Sequence, residues 1–276
     1  MNRSNYDLKK LTKFSLEVRK KTMEMIYHAN ASHIGSAFSM VELLTVLYNC
    51  FINISSKHPA DPKRDRFLLS KGHACTSLYS TLAILDFFDL DILRSYGSDN
   101  SILMSHVSSE VPGVEFSTGS LGHALPVSLG IALAAKKKSC NWKTIVLMSD
   151  GELNEGSNWE AFLMAPQMKL NNLIVIIDNN KMQALGNTDN IINLEPLELK
   201  FHNFGWQTSR VNGHNLSEIY NSLLEFENSS ICKPKILIAD TIKGKGISFM
   251  ENSLLWHYHS PDANEYEKAM KELMNA

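Results

Sequence analysis

The sequence is poor in cysteine, with four such residues among 276. The four lie far apart and form no C-x-x-C pair, so they do not outline a disulfide framework. Because disulfides persist mainly in oxidising compartments, we expect four reduced, buried thiols in a cytoplasmic protein. The cysteines are Cys50, Cys75, Cys140 and Cys232.

The chain also lacks an excess of charge and any long apolar run. Its 27 Lys and Arg residues nearly balance 29 Asp and Glu residues, for a formal net charge of −2. This balance predicts no nucleic-acid partner and no membrane-surface partner. Apolar runs such as residues 173–177 are far shorter than the roughly 20 residues that span a bilayer. The polar start, residues 1–14, has no apolar core of a signal peptide.

Hydrophobic residues make up 44% of the chain and charged residues 20%, which is typical of a globular protein. Short apolar segments alternate with helical segments, and no repeat, linker or low-complexity tract interrupts them. This alternation predicts an α/β fold with a doubly wound, mostly parallel sheet flanked by helices. We expect a single domain over residues 1–276, with a polar-tipped C-terminal tail.

Hydrophobic periodicity locates the individual elements. Helices are predicted over residues 8–29, 40–51, 75–88, 123–138, 155–170 and 216–227. Strands are predicted over residues 66–70, 144–148, 173–177, 207–211 and 235–239. Residues 96–122 are rich in Ser, Gly and Pro and show no period, and long loops of this kind are often functional.

Polar residues follow two consecutive apolar strands, which end in Asp150-Gly151 and in Asn179-Asn180. Since parallel strands end at one edge of a sheet, Asp150 and Asn180 can share a site there. A carboxylate, an amide oxygen and a backbone carbonyl suit Mg²⁺, which is often shared with substrate phosphates. Gly151 lets the backbone approach a phosphate, and the following helix start favours its charge. The alternative is a pair of ordinary turns without a metal.

These residues resemble the signature of the thiamine diphosphate enzymes, in which G-D-G is followed further along the chain by N or N-N. Here the corresponding segments are S-D-G at 149–151 and N-N at 179–180, with serine in place of the first glycine. The resemblance implies that thiamine diphosphate binds here. It also implies that Asp150, Asn180 and the carbonyl of Met182 hold Mg²⁺, or Ca²⁺ or Mn²⁺ in its place, on the diphosphate.

Further motifs resemble those of the transketolases, in that family's order, from about residue 30 to residue 260. They are A-S-H-I-G at 31–35, L-S-K-G-H-A at 69–74, S-H at 105–106 with V-P-G-V-E at 111–115, S-T-G-S-L-G at 117–122, D-G-E-L-N-E-G at 150–156 with W-E-A at 159–161, and K-G-K-G at 243–246 with W-H at 256–257. His123 and Ala124 stand where the family has glutamine and glycine, and neither is assigned a role.

The resemblance implies a role for four histidines. Transketolases cleave a C–C bond beside a ketose carbonyl and pass a two-carbon ketol unit to an aldose. Imidazoles suit the proton transfers at the substrate hydroxyls, because they titrate near neutral pH. The implied acid/base residues are His33 and His257, the latter also touching the cofactor. His106 would hold the terminal hydroxyl of the ketol group, and His73 would lie between that hydroxyl and the diphosphate.

The same resemblance implies a cofactor slot shaped by Gly119, Leu121 and Gly122. Leu121 would pack on the cofactor rings, and backbone amides would meet the phosphate. Glu155 has two interpretations. It is either a helix-start carboxylate that faces the helix dipole, or a member of an acidic relay near the aminopyrimidine.

A full transketolase is more than twice this long and has a second domain that grips the aminopyrimidine. The resemblance is therefore to the stand-alone N-terminal subunit of a split transketolase. It implies a separate C-terminal, pyrimidine-binding subunit, an assembly of two of each chain, and sugar or sugar phosphate substrates.

Two alternatives remain open at this point. The α subunit of a thiamine-dependent 2-oxo acid dehydrogenase shares the metal motif and the split architecture, but it would handle a carboxylate substrate. The histidine pattern and the W-H segment at 256–257 favour a polyhydroxylated substrate instead. A non-catalytic scaffold with this fold is the second alternative, and the intact metal and histidine residues argue against it.

Overall fold

The computed structural model describes residues 7–275. The domain expected over residues 1–276 and the polar start at 1–14 therefore lie partly outside the described residues. Five strands form one sheet, in the order β1-β2-β3-β5-β4, and every neighbouring pair is parallel. The strands are β1 Arg66–Leu69, β2 Thr144–Ser149, β3 Leu173–Asn179, β4 Gln207–Asn212 and β5 Lys235–Asp240.

Ten α-helices accompany the sheet in the described part of the chain. They are α1 Leu8–His28, α2 Ile34–Ser39, α3 Val41–Val46, α4 Cys75–Ile84, α5 Ala124–Lys137, α6 Gly156–Gln167, α7 Thr188–Ile191, α8 Leu197–Asn203, α9 Leu216–Asn228 and α10 Ala263–Met274. No helix within residues 7–275 is both long enough and apolar enough to cross a membrane.

Helices cover both faces of the sheet. Apolar side chains of α1, α3, α4 and α9 pack on one face, and those of α5, α6 and α8 pack on the other. The central strands β2 and β3 are buried at every position, as expected for parallel strands that are covered on both sides. The predicted α/β class is confirmed.

The strand register aligns the ends of the central strands. Ser149 pairs with Asp178, and Asn179 pairs with Asp240. The segments that follow β2, β3 and β5 therefore begin at the same level of one edge, the carboxyl edge. Ligands of parallel α/β sheets bind at this edge, so the register brings the predicted polar turns to the place where a ligand is expected.

The C-terminal segment differs from the predicted polar tail, because it contains the helix α10. Asp262 and Glu265 form a capping box that starts this helix, which satisfies backbone N–H groups at its first turn. Ala269 and Leu273 are buried in an apolar cluster that includes Ile26 of α1. The tail prediction overlooked two sequence signals of this helix, the D-x-x-E capping box at 262–265 and the helical spacing of apolar residues over 266–273.

Other boundaries also differ from the predictions. Helix α2 lies between the helices predicted over residues 8–29 and 40–51, where none was predicted, and all of it is buried. Residues 40–51 form α3 followed by a π-helical turn over Leu47–Phe51. Helix α4 ends at Ile84, before Asp86, whose φ of 60° is left-handed. Residues 96–122 contain no α-helix or strand, as predicted.

All four cysteines are free, but the prediction that all are buried is wrong. Cys75 is buried, whereas Cys232 is exposed and the other two are half-buried. Cys232 lies in the short connection between α9 and β5, where the chain follows the surface. A wide spacing of cysteines therefore did not indicate their burial.

Candidate active site

The four histidines singled out in the sequence meet in space, although they come from four separate segments. His33 precedes α2, His73 follows β1, His106 belongs to the long loop over residues 96–122, and His257 ends a 3₁₀ turn. The ring centroid of His33 lies 5.1, 5.2 and 6.1 Å from those of His73, His257 and His106, respectively. We refer to these four residues as the histidine cluster.

A main-chain hydrogen bond joins two members of the histidine cluster, His33 and His257. His33 has a left-handed φ of 72° immediately before α2. Its N–H donates a hydrogen bond of 2.9 Å to the carbonyl of His257. The two residues are thus joined through the main chain as well as through adjacent rings, and this arrangement does not depend on the side chains alone.

Three members of the histidine cluster are neutral near pH 7. Burial, with the nearby His106 and Lys243, lowers the pKa of His33 to about 4. Burial, followed by the charge of Lys243, lowers the pKa of His257 to about 3. Burial also holds the pKa of His73 well below its ordinary value. Each neutral imidazole has one donor and one acceptor nitrogen, so the cluster can serve substrate hydroxyls in both senses.

Three further residues contact the histidine cluster and were missed as site residues in the sequence. The Ser32 hydroxyl lies 3.0 Å from Nδ1 of His33, and the Lys243 ammonium lies 2.8 Å from Nδ1 of His257. The Tyr258 ring, whose residue is 64% exposed, has its centroid 4.6 Å from that of His257. Lys243 belongs to the K-G-K-G motif, and this motif was the sequence signal that could have identified it as a site residue.

Asp150 and Asn180 occupy neighbouring positions at the carboxyl edge, because β2 and β3 are adjacent. The Asp150 carboxylate accepts hydrogen bonds from the N–H groups of Gly151, at 2.7 Å, and Lys181, at 2.5 Å. Lys181 directly follows Asn180. The Asn180 amide oxygen accepts from the N–H of Met182 at 3.1 Å. The three residues predicted to ligate a metal therefore belong to one small cluster of turns.

Asp150 is a buried carboxylate that forms no ion pair within residues 7–275. It is 1% exposed, and in the described part of the chain its hydrogen bonds come from backbone N–H groups. Burial, helped by the nearby Asp178, raises the pKa of Asp150 to about 7. Buried charges in proteins are normally paired or coordinate a metal. The oxygen donors of Asp150 and Asn180 fit a hard divalent cation.

No group of three or more His, Cys, Asp or Glu side chains able to hold a metal occurs within residues 7–275. The predicted ligand set contains a single carboxylate, with an amide and a carbonyl as its other donors. It is therefore a different kind of site from a group of several carboxylates, histidines or cysteines. Proteins often bind Mg²⁺ with few protein ligands in this way, because substrate phosphates and water supply the others.

A second observation fits the diphosphate. The side chain of Gln183 lies against Gly151, where an added Cβ would come within 2.8 Å of its Cγ. The Gln183 Nε2 atom is buried and has no hydrogen-bond partner among the described residues. An unsatisfied buried donor costs about 1–3 kcal/mol, so an acceptor such as a phosphate oxygen is favoured at this position. The residues present thus fit the group that the sequence motif implies.

The glycine-rich loop over residues 117–122 contacts both the histidine cluster and the start of α6. Gly119 faces the His106 ring, since a Cβ built on it would lie 3.6 Å from that ring. Gly122 has a left-handed φ of 85°, and a Cβ there would lie 2.6 Å from Cβ of Glu155. Leu121 between them is half-buried. The residues predicted to shape the cofactor slot therefore lie in one short loop beside the histidine cluster.

Glu155 itself is exposed at the N-terminus of α6 and makes no side-chain capping bond. The buried carboxylate of this turn is instead Glu152, which the motifs did not single out. Glu152 accepts hydrogen bonds from the Ser70 hydroxyl and from the N–H of Gly122. Burial raises its pKa. It ties the β1 loop, the glycine-rich loop and the β2 turn together.

A fully buried ion pair lies beneath the site and was also missed. The Lys71 ammonium bonds to Asp178, and both side chains are 0% exposed. Although burial alone would raise the pKa of Asp178, the charge of Lys71 holds it below its usual value. Lys71 lies two residues before His73, and the Asp178 carbonyl accepts the N–H of Asp150 at 3.2 Å. The pair therefore places the histidine cluster next to the β2 and β3 turns.

Comparison with known proteins agrees with this geometry. The family model described as "Transketolase, thiamine diphosphate binding domain" matches residues 12–274. A protein of Phocaeicola vulgatus, named as one subunit of an apulose-4-phosphate transketolase, is 41% identical over 255 residues, which cover 92% of this chain and 90% of that protein. The protein of the same name from Actinobacillus succinogenes is 40% identical over 275 residues, covering 99% of each chain.

The fold is also that of solved transketolases. The crystal structure of transketolase from Campylobacter jejuni superposes with a TM-score of 0.91 at 29% sequence identity, covering 98% of this chain and 43% of that one. The present chain thus matches nearly the full length of the two transketolase subunits and less than half of this transketolase. The family predicted from the motifs is confirmed, and the chain belongs to the transketolase family, whose thiamine diphosphate-binding domain it contains.

Proposed function

We propose that this chain is the N-terminal subunit of a split transketolase, transferring a two-carbon ketol unit from a ketose or ketose phosphate to an aldose. The observation that carries this proposal is the histidine cluster, with ring centroids 5.1–6.1 Å from that of His33. Neutral imidazoles grouped in this way suit a substrate that presents several hydroxyls. The family membership supports the same function.

Each part of the site has a role in this proposal. Thiamine diphosphate, when bound, supplies the nucleophilic carbon and the electron sink for C–C cleavage. Asp150, Asn180 and the Met182 carbonyl would hold Mg²⁺, or Ca²⁺ or Mn²⁺, on its diphosphate. Gly151 lets the main chain approach that group, and the Gln183 amide nitrogen beside it gains an acceptor.

The histidines act on the sugar. His33 and His257 serve the reacting hydroxyls, and His106 binds the terminal hydroxyl of the ketol unit. His73 lies between that hydroxyl and the diphosphate. Their burial strengthens each hydrogen bond, because the local dielectric is lower than that of water.

The glycine-rich loop forms the cofactor slot. Gly119 and Gly122 keep its backbone open, and Leu121 would pack on the cofactor rings. For Glu155 we adopt the acidic relay near the aminopyrimidine. Its exposed side chain makes no capping bond at α6, and it is thereby available to a group from another chain.

The complete active site requires a second chain in this proposal. The two relatives are each named as one subunit of a transketolase, which implies a further subunit in those enzymes. This chain covers only 43% of the Campylobacter jejuni transketolase. A C-terminal, pyrimidine-binding subunit is the proposed partner, in an assembly of two of each chain. The cytoplasmic location expected from the reduced cysteines stays a prediction.

The name of the two relatives makes apulose 4-phosphate the first donor to test, with the ketose phosphates of the pentose phosphate series as the second group. A 2-oxo acid dehydrogenase α subunit is disfavoured, because the histidine cluster suits hydroxyls and the relatives are named transketolases. A scaffold without catalysis is disfavoured by the retention of the metal-binding and histidine motif residues.

The test combines the purified chain with a candidate C-terminal subunit, thiamine diphosphate and Mg²⁺, and it measures ketol transfer from each donor. We expect transfer from a ketose phosphate by the pair and none by either chain alone. Efficient transfer by this chain alone would refute the split architecture. Turnover of pyruvate in preference to ketoses would support the dehydrogenase, and cofactor binding by the pair without any turnover would support the scaffold.

A further inference from the structure

Lys243 is an unusual neighbour for an acid/base histidine. Its side chain is fully buried, at 0% exposure. Within the described residues its ammonium makes one hydrogen bond, to Nδ1 of His257 at 2.8 Å. A lysine ammonium has three donor hydrogens and no acceptor. In this pair Nδ1 of His257 must therefore be the acceptor, and it carries no proton.

The position of Lys243 is determined by the surrounding main chain. Gly35 leaves room for its stem, since an added Cβ there would lie 3.1 Å from Cγ of Lys243. The N–H of Gly244 donates to the Gly35 carbonyl at 3.0 Å, and the Lys243 carbonyl accepts from Asn252 at 2.9 Å. These bonds fix the main chain at Lys243, and the full burial of its side chain keeps the ammonium beside His257.

We propose that Lys243 is a positioning residue that fixes His257 as the Nε2–H tautomer. The tautomer of a histidine is set by the hydrogen bond that its other nitrogen makes. His257 then acts toward the sugar as a hydrogen-bond donor, and it does not serve as the base. This inference takes the identity of the reaction from the proposed function, but the tautomer itself is a property of the chain.

The Nδ1 atom of His33 has a different kind of neighbour from that of His257, and this difference indicates that His33 is the base. The neighbour of its Nδ1 is the Ser32 hydroxyl, at 3.0 Å. A hydroxyl can donate or accept, so it can follow His33 when the ring gains or loses a proton. The proton of the reacting hydroxyl therefore passes to His33 and returns from it, while His257 orients the oxygen.

The charges around Lys243 agree with this assignment. Burial, with the like charge of Lys71, lowers the pKa of Lys243 to about 8. The carboxylates of Asp150 and Asp178 act in the opposite direction. The ammonium form therefore predominates at pH 7, and it disfavours a second positive charge on His257.

The direct test is nitrogen NMR of the full chain labelled with ¹⁵N-histidine, with His257→Gln used to identify the His257 signals. At pH 7 we expect an unprotonated Nδ1 and a protonated Nε2. Lys243→Met keeps an apolar stem of similar length and removes the donor, so the preference should be lost. Lys245→Met is the matched control, because Lys245 is a partly exposed residue paired with Glu251, and it should leave the spectrum unchanged.

Several outcomes would overturn the proposal. A protonated Nδ1 on His257 in the unmodified chain would do so, and this measurement needs no variant to fold. An unchanged tautomer in a folded Lys243→Met chain, with folding judged by its circular dichroism, would do so as well.

Kinetics of the reconstituted pair give the functional readout. At saturating cofactor, Lys243→Met should lower kcat by about tenfold or more, whereas Lys243→Arg, which keeps a donor, should lose less. Equal losses in both variants would contradict the donor role. If the unmodified pair shows no ketol transfer, the proposed function fails, while the NMR result on the tautomer still stands or falls separately.

Discussion

The two edges of the sheet both bear charged side chains, but these charges are paired differently. At the amino edge the Lys143 ammonium pairs with Asp65 and Glu227 at 3.4 and 3.0 Å. The Arg66 guanidinium there lies 4.7 Å from the Trp142 ring centroid. At the carboxyl edge, among the residues that the structure describes, Asp150 is bonded only to backbone and the Lys243 ammonium only to a histidine.

The difference shows where this fold keeps groups available for a ligand. Burying a charge without a partner destabilises a protein, so an unpaired buried charge indicates a use other than stability. Both edges belong to the same strands. The packing of these strands therefore does not explain why charges are paired at the amino edge, whereas Asp150 and Lys243 at the carboxyl edge have no oppositely charged partner among the described residues. We therefore expect the loops of the carboxyl edge to bind the ligand and those of the amino edge to stabilise the fold.

The first prediction concerns a fully buried ion pair of the carboxyl edge, Lys71 with Asp178. Lys71→Met leaves Asp178 as a buried charge without its partner, because both side chains are fully buried. We expect the free energy of unfolding to fall by about 3–5 kcal/mol, measured by urea denaturation. Lys245→Met serves as the partly exposed control. A loss no larger than that of the control would mean that the pair is not structural.

The second prediction concerns Asp150. Asp150→Asn preserves the shape of the side chain and removes the charge that is proposed to bind Mg²⁺. We expect the affinity for thiamine diphosphate with Mg²⁺ to fall at least about 100-fold, or about 2.7 kcal/mol, by titration calorimetry. Without ligands we expect the free energy of unfolding to fall by about 1–3 kcal/mol, because the amide NH2 replaces the oxygen that accepts one of the two backbone N–H groups.

Asp189→Asn is the matched control for this change, because Asp189 is an exposed carboxylate in the first turn of α7. It should bind the cofactor as the unmodified chain does. Chelation of the divalent ion should reproduce the Asp150→Asn result in the unmodified chain. Metal-independent binding of the cofactor would remove Asp150 from the proposed site.

The third prediction probes the amino edge and has the smallest effect. Lys143→Met removes an ammonium that is 18% exposed and shared between two carboxylates. Partly exposed pairs contribute little, so we expect a loss of about 1 kcal/mol in unfolding free energy. Cofactor affinity and ketol transfer should be unchanged. A loss of activity at constant stability would contradict a purely structural role for the charges of the amino edge.

Much of the fold was predictable from local patterns. The strands over residues 144–148 and 173–177 are continuous apolar runs, and the structure has β2 and β3 at these positions. The histidines and Asp150 were identified from motif segments that are each contiguous in the chain. Helix α10 was missed although the sequence carries two signals for it: a D-x-x-E capping box at 262–265 and apolar residues at helical spacing over residues 266–273.

The contacts between segments were not predictable in this way. Lys71 and Asp178 are 107 positions apart, and the hydrogen bond that joins them depends on the strand order. Glu152 and Ser70 are 82 positions apart. A single sequence gives such residues as one lysine, one serine and two acids, with nothing that assigns partners.

By itself, the sequence determined the five strands, the polar turns after β2 and β3, and the residue types available for catalysis, because these follow from periodicity and from neighbours along the chain. The tertiary structure alone decided which charges are paired and which nitrogen of His257 lies beside the Lys243 ammonium. Those properties depend on burial and on distances across the sheet edge, where the free energy of a charge is set by whatever lies within a few ångströms of it.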